Sequence, residues 1–124
     1  YEEWSRGLLT PMNPPKELGW YRRKKSNFFE KYNALAREFA SLLQLPDEVM
    51  TVDTELKIQV DVDDIDSREQ LAQHVDKFLA QLKSKYESSN IQTEPFCFIK
   101  NNSGTYGLAV VQVRSGQDVR DWNN

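Results

Sequence analysis

The sequence of 124 residues contains little of the chemistry from which compact active sites are built. It has one cysteine, Cys97, and one histidine, His74. A single cysteine excludes an internal disulfide framework, and this fits a reducing compartment. We therefore expect a cytoplasmic, intracellular protein. No apolar run approaches the roughly 20 residues of a membrane-spanning helix, so we expect no membrane partner.

Neither sign of charge is in large excess, because 16 Lys and Arg residues face 19 Asp and Glu residues, for a net charge of -3. No global field therefore draws the protein to nucleic acid or to an acidic membrane. A composition of 39% hydrophobic and 28% charged residues is typical of a soluble globular domain. A chain of this size can bury one core without a metal or a disulfide.

Residues 1–25 hold three of the five prolines and two of the three tryptophans, without any sustained hydrophobic period. This composition predicts an extended N-terminal arm. The arm carries too many large apolar groups to remain in water, so we expect it to lie against its own domain or against a partner. The predicted partner-binding residues are Trp4, Trp20 and Tyr21.

Two segments show the apolar spacing of an amphipathic helix. The first runs from Asn27, a candidate N-cap, to Pro46, which ends it. The second begins at Ser67 and Gln70, which match a capping box, and carries an apolar stripe from Leu71 to Tyr86.

Three segments are typical of strands. Apolar and polar residues alternate from Leu56 to Asp63, which predicts a strand with one wet face. Residues 96–100 and 106–114 are separated by Asn-Asn-Ser-Gly-Thr, which predicts a β-hairpin.

The predicted order is therefore helix, strand, helix, strand, strand. We expect an α+β fold in which two amphipathic helices pack on one face of a small, mainly antiparallel three-stranded sheet. The last strand is apolar on both faces, so it should be central, and its second face should be covered by the arm or by another chain. The predicted organisation is an arm over 1–25, one domain over 26–114 and a polar, loosely held tail over 115–124.

Charge is unevenly distributed along the chain. Residues 16–37 carry seven basic and two acidic groups, whereas residues 47–69 carry nine acidic and two basic groups. The basic, aromatic segment 20–32 is one hypothesis for nucleic-acid binding, because cations neutralise phosphates and rings stack on bases. The alternative is a solvated helix entry that pairs with the acidic segment. The candidate nucleic-acid-binding residues are Arg22, Arg23, Lys24, Lys25 and Lys31.

The acidic run from Asp61 to Asp66 does not satisfy the pattern of a calcium loop, because its sixth position is not glycine and its twelfth is not Glu. A Glu-x-Lys match at Glu55 and Lys57 lacks further acids to complete a nuclease site. His74 is interpreted as a core-edge residue and Cys97 as a buried small hydrophobe. We therefore expect no catalytic residues, no metal and no cofactor.

These observations favour a protein that is not an enzyme. The predicted function is a non-catalytic interaction or regulatory module, part of a larger protein or assembly, that binds through the arm or the second sheet face. The alternative is a nucleic-acid-binding accessory domain. The expected partners are another protein chain, the rest of a parent protein or a second copy, with nucleic acid as the alternative.

Overall fold

The computed structural model describes residues 3, 6–7, 10–13, 15, 18–19, 22–57, 59–103 and 110–122. Over these residues the elements are α1 (Lys25–Leu43), a 3-10 helix (Asp47–Val49), α2 (Ile65–Ser88), β1 (Cys97–Lys100), β2 (Val110–Val113) and α3 (Gly116–Arg120). The chain divides into two compact units, Tyr1–Val52 and Asp53–Asn124. The predicted boundaries at residues 25 and 114 remain predictions. None of the helices in the described ranges is long and apolar enough to cross a membrane.

The first predicted helix is confirmed as α1, although its N-terminus differs from the prediction. The helix begins at Lys25, and its N-cap Lys24 provides no side-chain hydrogen bond. Asn27 therefore lies inside the first turn, and its assignment as the cap was wrong. The helix ends where Gln44 adopts a left-handed φ of 56° and the Leu45 N–H returns to the Ala40 carbonyl at 2.9 Å. Such a left-handed residue is a common helix stop.

The first unit is held together by side chains of α1 that bind the backbone of residues 50–52. The Asn33 amide donates to the Val52 carbonyl and accepts from the Val52 N–H, both at 2.9 Å. Tyr32 donates its hydroxyl hydrogen to the Met50 carbonyl at 3.1 Å. Ala36 and Ala40 are buried on this helix.

The second predicted helix is confirmed as α2, but its cap is Asp64 rather than Ser67. The Asp64 carboxylate accepts from the Ser67 N–H at 2.7 Å. Ser67 instead uses its hydroxyl oxygen to accept the Asp61 N–H at 2.9 Å. The acidic run before the helix thus acts locally, because an acceptor and a negative charge both stabilise a helix N-terminus.

The core of the second unit forms around one face of α2. Leu71, Val75 and Leu79 project from successive turns, as the sequence period predicts. They pack with Val113 of β2 and Val119 of α3, which are 1% and 0% exposed. Four partly buried residues complete this core: Val60, Cys97, Ile99 and Trp122.

The prediction of a three-stranded sheet was wrong. In the described residues the sheet has two antiparallel strands, with Cys97 opposite Val113 and Lys100 opposite Val110. β2 is therefore an edge strand and not a central one. Over residues 51–57 and 59–63 no strand forms, and Gln59 has a φ of 57°, which interrupts an extended chain. The fold is a small α+β arrangement.

The hairpin prediction is confirmed for the pairing of its strands. The start of the turn is set by Asn101, whose side-chain oxygen accepts the Ser103 N–H at 2.8 Å. Such a local hydrogen bond is the reason that Asn is favoured in turns. Residues 104–109 lie outside the described residues.

The expectation of a loosely held tail was wrong for residues 115–122. Ser115 and Asp118 form a reciprocal capping box at the start of α3. Val119 then inserts into the core. The tail is predominantly polar, but a capping box and a buried valine help to dock it.

A substitution at Gly116 tests how tightly α3 packs on α2. A Cβ atom at this position would lie 2.4 Å from the Ala72 carbonyl oxygen and 2.4 Å from Asp76 Oδ2. We expect Gly116→Ala to lower the free energy of unfolding by about 1–3 kcal/mol, as overpacking does. The measurement is urea unfolding followed by circular dichroism.

The control for this experiment is Gly7→Ala, because a Cβ atom there meets nothing within 4 Å. This change should alter the free energy of unfolding by less than about 0.5 kcal/mol. Equal stability of the two variants would contradict the docked position of α3.

Candidate functional site

A charged network fixes α3 to the outer surface of α2. Arg120 binds both carboxylate oxygens of Glu69, through Nε at 2.7 Å and through a terminal nitrogen at 2.9 Å. A second terminal nitrogen lies 3.5 Å from Asp76. Asp76 also accepts the Gly116 N–H at 2.6 Å. The two hydrogen bonds between Arg120 and Glu69 fix the orientation of the guanidinium group as well as its distance from the carboxylate.

The network keeps the Glu69 carboxylate ionised. Hydrogen bonds from Arg120 and then from Gln73 lower the pKa of Glu69 from 4.5 to about 2. The backbone N–H of Arg114 lowers the pKa of Asp118. A general acid or base needs a pKa near the working pH. Glu69 is therefore assigned a structural role.

Two further polar contacts connect residues 53–55 with α2. His74 Nε2 lies 2.7 Å from Glu55 Oε2, and both side chains are partly exposed. Lys85 pairs with Asp53 nearer the end of the helix. The interpretation of His74 as a core-edge residue agrees with its intermediate burial. In the described part of the chain, no group of three or more His, Cys, Asp and Glu residues is arranged to hold a metal ion.

A polar cleft of about 260 Å³ lies between the C-terminal end of α2 and the segment that leads to β1. Lys83 on its rim is 3.4 Å from both carboxylate oxygens of Glu94. Asn90, with a φ of 55°, turns the chain back after the helix. The lining residues are Lys83, Tyr86, Glu87, Asn90, Ile91, Gln92, Thr93, Glu94 and Pro95.

The cleft combines both signs of charge with an aromatic ring. The side chain of Lys83 is 53% exposed and that of Glu94 is 80% exposed. An ion pair in such an exposed position contributes little stability, so either partner can bind a charged ligand instead. The volume is below the roughly 300–1,000 Å³ of typical ligand pockets.

The sheet face that points away from the core carries an aromatic pair. Phe96 and Phe98 meet edge to face, with ring centroids 5.6 Å apart. The Lys100 ammonium lies 5.4 Å from the centroid of the Phe98 ring. Phe98 is 52% exposed, and Val110 beside it is 36% exposed. Coverage of this face by the arm or by another chain remains a prediction.

Cys97 lies on the opposite side of β1 and packs against the core. Burial raises the pKa of this thiol. The structure therefore agrees with the interpretation of Cys97 as a small hydrophobe, although the residue is half-buried rather than fully buried.

The residues proposed for nucleic-acid binding lie at the start of α1. Arg22, Arg23 and Lys24 precede the helix and are exposed, Lys25 is its first residue, and Lys31 is exposed nearly two turns later. The partner-binding candidates Trp4, Trp20 and Tyr21 lie outside the described residues. The role of these three residues in binding a partner remains a prediction.

The comparisons with known proteins decide the family. The sequence model of the GshA glutamate-cysteine ligases matches residues 1–124. The chain belongs to the GshA family. A crystal structure of a protein assigned as a γ-glutamylcysteine synthetase, from Methylobacillus flagellatus KT, is 36% identical with a TM-score of 0.77. The match covers 95% of this chain and 28% of that protein. No curated protein matches the sequence.

Membership in this family corrects the functional predictions. The expectation that the chain is not an enzyme was wrong, because GshA is an enzyme family. The interpretation as a non-catalytic interaction or regulatory module, and its nucleic-acid-binding alternative, are overturned by the same match. The cleft was also missed, because its lining residues come from a helix end and an irregular loop without a fixed spacing. The local signal in the sequence is Asn90 itself, because Asn tolerates the positive φ that the structure shows there.

The Glu69–Arg120 pair predicts a specific loss of stability in acid. A carboxyl whose folded pKa is about 2, against an ordinary 4.5, stabilises the fold above pH 4.5, and this contribution disappears as the pH falls towards 2. We expect Glu69→Gln to lower the free energy of unfolding at pH 7. We also expect a weaker dependence on pH between about 4.5 and 2.

The measurement is urea unfolding at a series of pH values. Glu87→Gln, an exposed carboxylate on the same helix, provides the control and should keep the acid dependence of the unaltered chain. Parallel pH curves for Glu69→Gln and the unaltered chain would show that the arginine does not hold Glu69 ionised.

Proposed function

We propose that this chain forms part of a ligase that joins the γ-carboxyl group of glutamate to the amino group of cysteine. The supporting observation is 36% identity over 95% of the chain with a protein assigned that synthetase activity. The chain spans 28% of the length of that protein. The proposed activity therefore belongs to a longer ligase polypeptide, of which these residues form one part, in the cytoplasm.

The reaction follows from the chemistry of the two substrates. The cysteine amino nitrogen forms a bond to the carbon of the γ-carboxyl group of glutamate and loses a proton, and one carboxylate oxygen must leave with a phosphate group. Because a free carboxylate oxygen is a poor leaving group, the ligase needs a nucleoside triphosphate as an activating co-substrate. Substrates with charged amino and carboxylate groups also need charged partners on the protein.

Product identification tests the proposed function. The purified ligase polypeptide, supplied with glutamate, cysteine and ATP, should form γ-glutamylcysteine, identified by mass spectrometry against a synthetic standard. An α-linked dipeptide standard provides the control for the position of the bond. Absence of any γ-linked product with a folded protein would contradict the proposal.

We further place a contact to glutamate at the cleft beside α2. Lys83 can exchange its weak pairing with Glu94 for a substrate carboxylate, and Glu87 offers a carboxylate for an ammonium group. Charge-assisted hydrogen bonds are stronger than neutral ones. Glutamate carries two carboxylates and is therefore the substrate that we assign to this cleft.

The variant Lys83→Met tests this assignment. Loss of a hydrogen bond to a charged group costs about 1.5–3 kcal/mol, so KM for glutamate should rise at least about tenfold. If Lys83 binds glutamate equally well in the ground state and in the transition state, kcat should stay unchanged. Lys77→Met, on the same helix outside the cleft, is the control. An unchanged KM for glutamate in Lys83→Met would remove the cleft from the substrate site.

A further inference from the structure

The largest apolar side chains of α1 form a stripe that points into solvent. Phe28, Tyr32, Leu35, Phe39 and Leu42 recur at intervals of four, three, four and three residues. Their exposed fractions range from 41% to 80%. We call these five residues the α1 seam. The buried residues of the same helix are the small Ala36 and Ala40, so the helix presents its bulkiest side chains to the outside.

The spacing of the seam is that of a helix that packs against another helix. Alternation of four and three residues is the a and d pattern of a two-helix contact, which keeps one narrow stripe facing its partner. Lys31 and Glu38 border the stripe seven residues apart. These charged residues occupy the flanking positions at which such contacts carry complementary charges. A partner helix would place an acidic group near Lys31 and a basic group near Glu38.

The exposed area is at the upper end of the roughly 300–600 Å² of the largest apolar patch on a typical monomer. Five side chains of about 200 Å² each, exposed by a little under three fifths on average, amount to on the order of 600 Å² of apolar surface. Isolated soluble proteins rarely expose a contiguous patch larger than a few hundred Å². Leu43 and Val49, which are 51% and 66% exposed, add to the apolar surface near the end of the helix.

The length of the relative indicates what covers the seam. The matched region is 28% of the synthetase chain from Methylobacillus flagellatus KT, so more than two thirds of that polypeptide lies outside it. A second copy of this chain would bury on the order of 1,200 Å² through the seam, at the lower end of stable interfaces. It would also lose translational and rotational freedom. A helix of the same polypeptide does not incur that cost of association.

We propose that the α1 seam is the docking surface for an amphipathic helix from the remaining part of the ligase polypeptide. This inference rests on the proposed function, because it requires the longer ligase. The seam then joins the first unit to the rest of the enzyme. The alternatives to such a helix are a second copy of the chain and solvent.

Photo-crosslinking identifies the occupant directly. The probe is p-benzoylphenylalanine in place of Phe39 in the ligase polypeptide, and the control carries it in place of Arg37, which is exposed on the face of α1 opposite the seam. We expect a cross-link from position 39, within one polypeptide, to a peptide outside residues 1–124. The yield from position 37 should be at least several-fold lower. A cross-link to a second copy, or none above the control, would overturn the inference.

A pair of matched double variants measures the same contact through stability. Leu35→Gln with Phe39→Gln removes two seam residues, whereas Glu30→Gln with Arg37→Gln alters two exposed positions of α1 and also leaves the net charge unchanged. In the ligase polypeptide, the seam variant should melt several degrees lower than the control variant. Equal melting temperatures would overturn the inference. If the seam variant fails to fold, the cross-linking result alone decides.

Formation of γ-glutamylcysteine is measured on the unaltered preparation, so that the two proposals fail separately. An active ligase without the cross-link overturns the seam inference and leaves the proposed function intact. A specific cross-link in a protein that forms no γ-linked product overturns the proposed function, while the seam remains a contact within the polypeptide.

Discussion

The packing of α2 against the hairpin and α3 is the interaction on which the second unit depends. One stripe of α2, centred on Val75, supplies the core, and Val113 and Val119 close it from two other elements. Because the unit has a two-stranded sheet, and an isolated hairpin is marginal in water, the helix must provide most of the buried surface. The Glu69–Arg120 pair then fixes α3 at the edge of this core.

The same helix places the polar features of the unit. Its polar contacts to Glu55 and Asp53 hold the preceding segment, and its last turns carry Lys83 beside the cleft. A single rigid element thus connects the core with the candidate substrate site. Sites on such elements keep their geometry better than sites built only on loops.

The sequence predicted the two long helices because their period was unambiguous over four or more turns. It failed between Leu56 and Asp63, where alternation of apolar and polar residues predicted a strand. The left-handed Gln59 interrupts that segment, and Leu56 is 57% exposed. Alternation is a necessary sign of a half-buried strand, but it does not provide the neighbouring strand that pairing requires.

Functional prediction failed for a different physical reason. We expected no enzyme because these residues contain no catalytic or metal-binding motif, but an active site can be completed by distant residues of a longer polypeptide. The exposed seam of α1 was equally hidden, because the pattern of an amphipathic helix does not say which neighbour covers its apolar face. The helix could be predicted from Phe28 to Leu43, but its partner could not.

In our account the described fold is one part of a larger enzyme, and the α1 seam joins it to the rest. Hydrogen exchange of the ligase polypeptide, resolved by peptide, measures this most directly, because exchange reports the free energy of local opening. We predict that amides near Leu35 and Phe39 are protected as strongly as those near Val75 in the core of the second unit. Exchange orders of magnitude faster in α1 than in α2 would contradict the account.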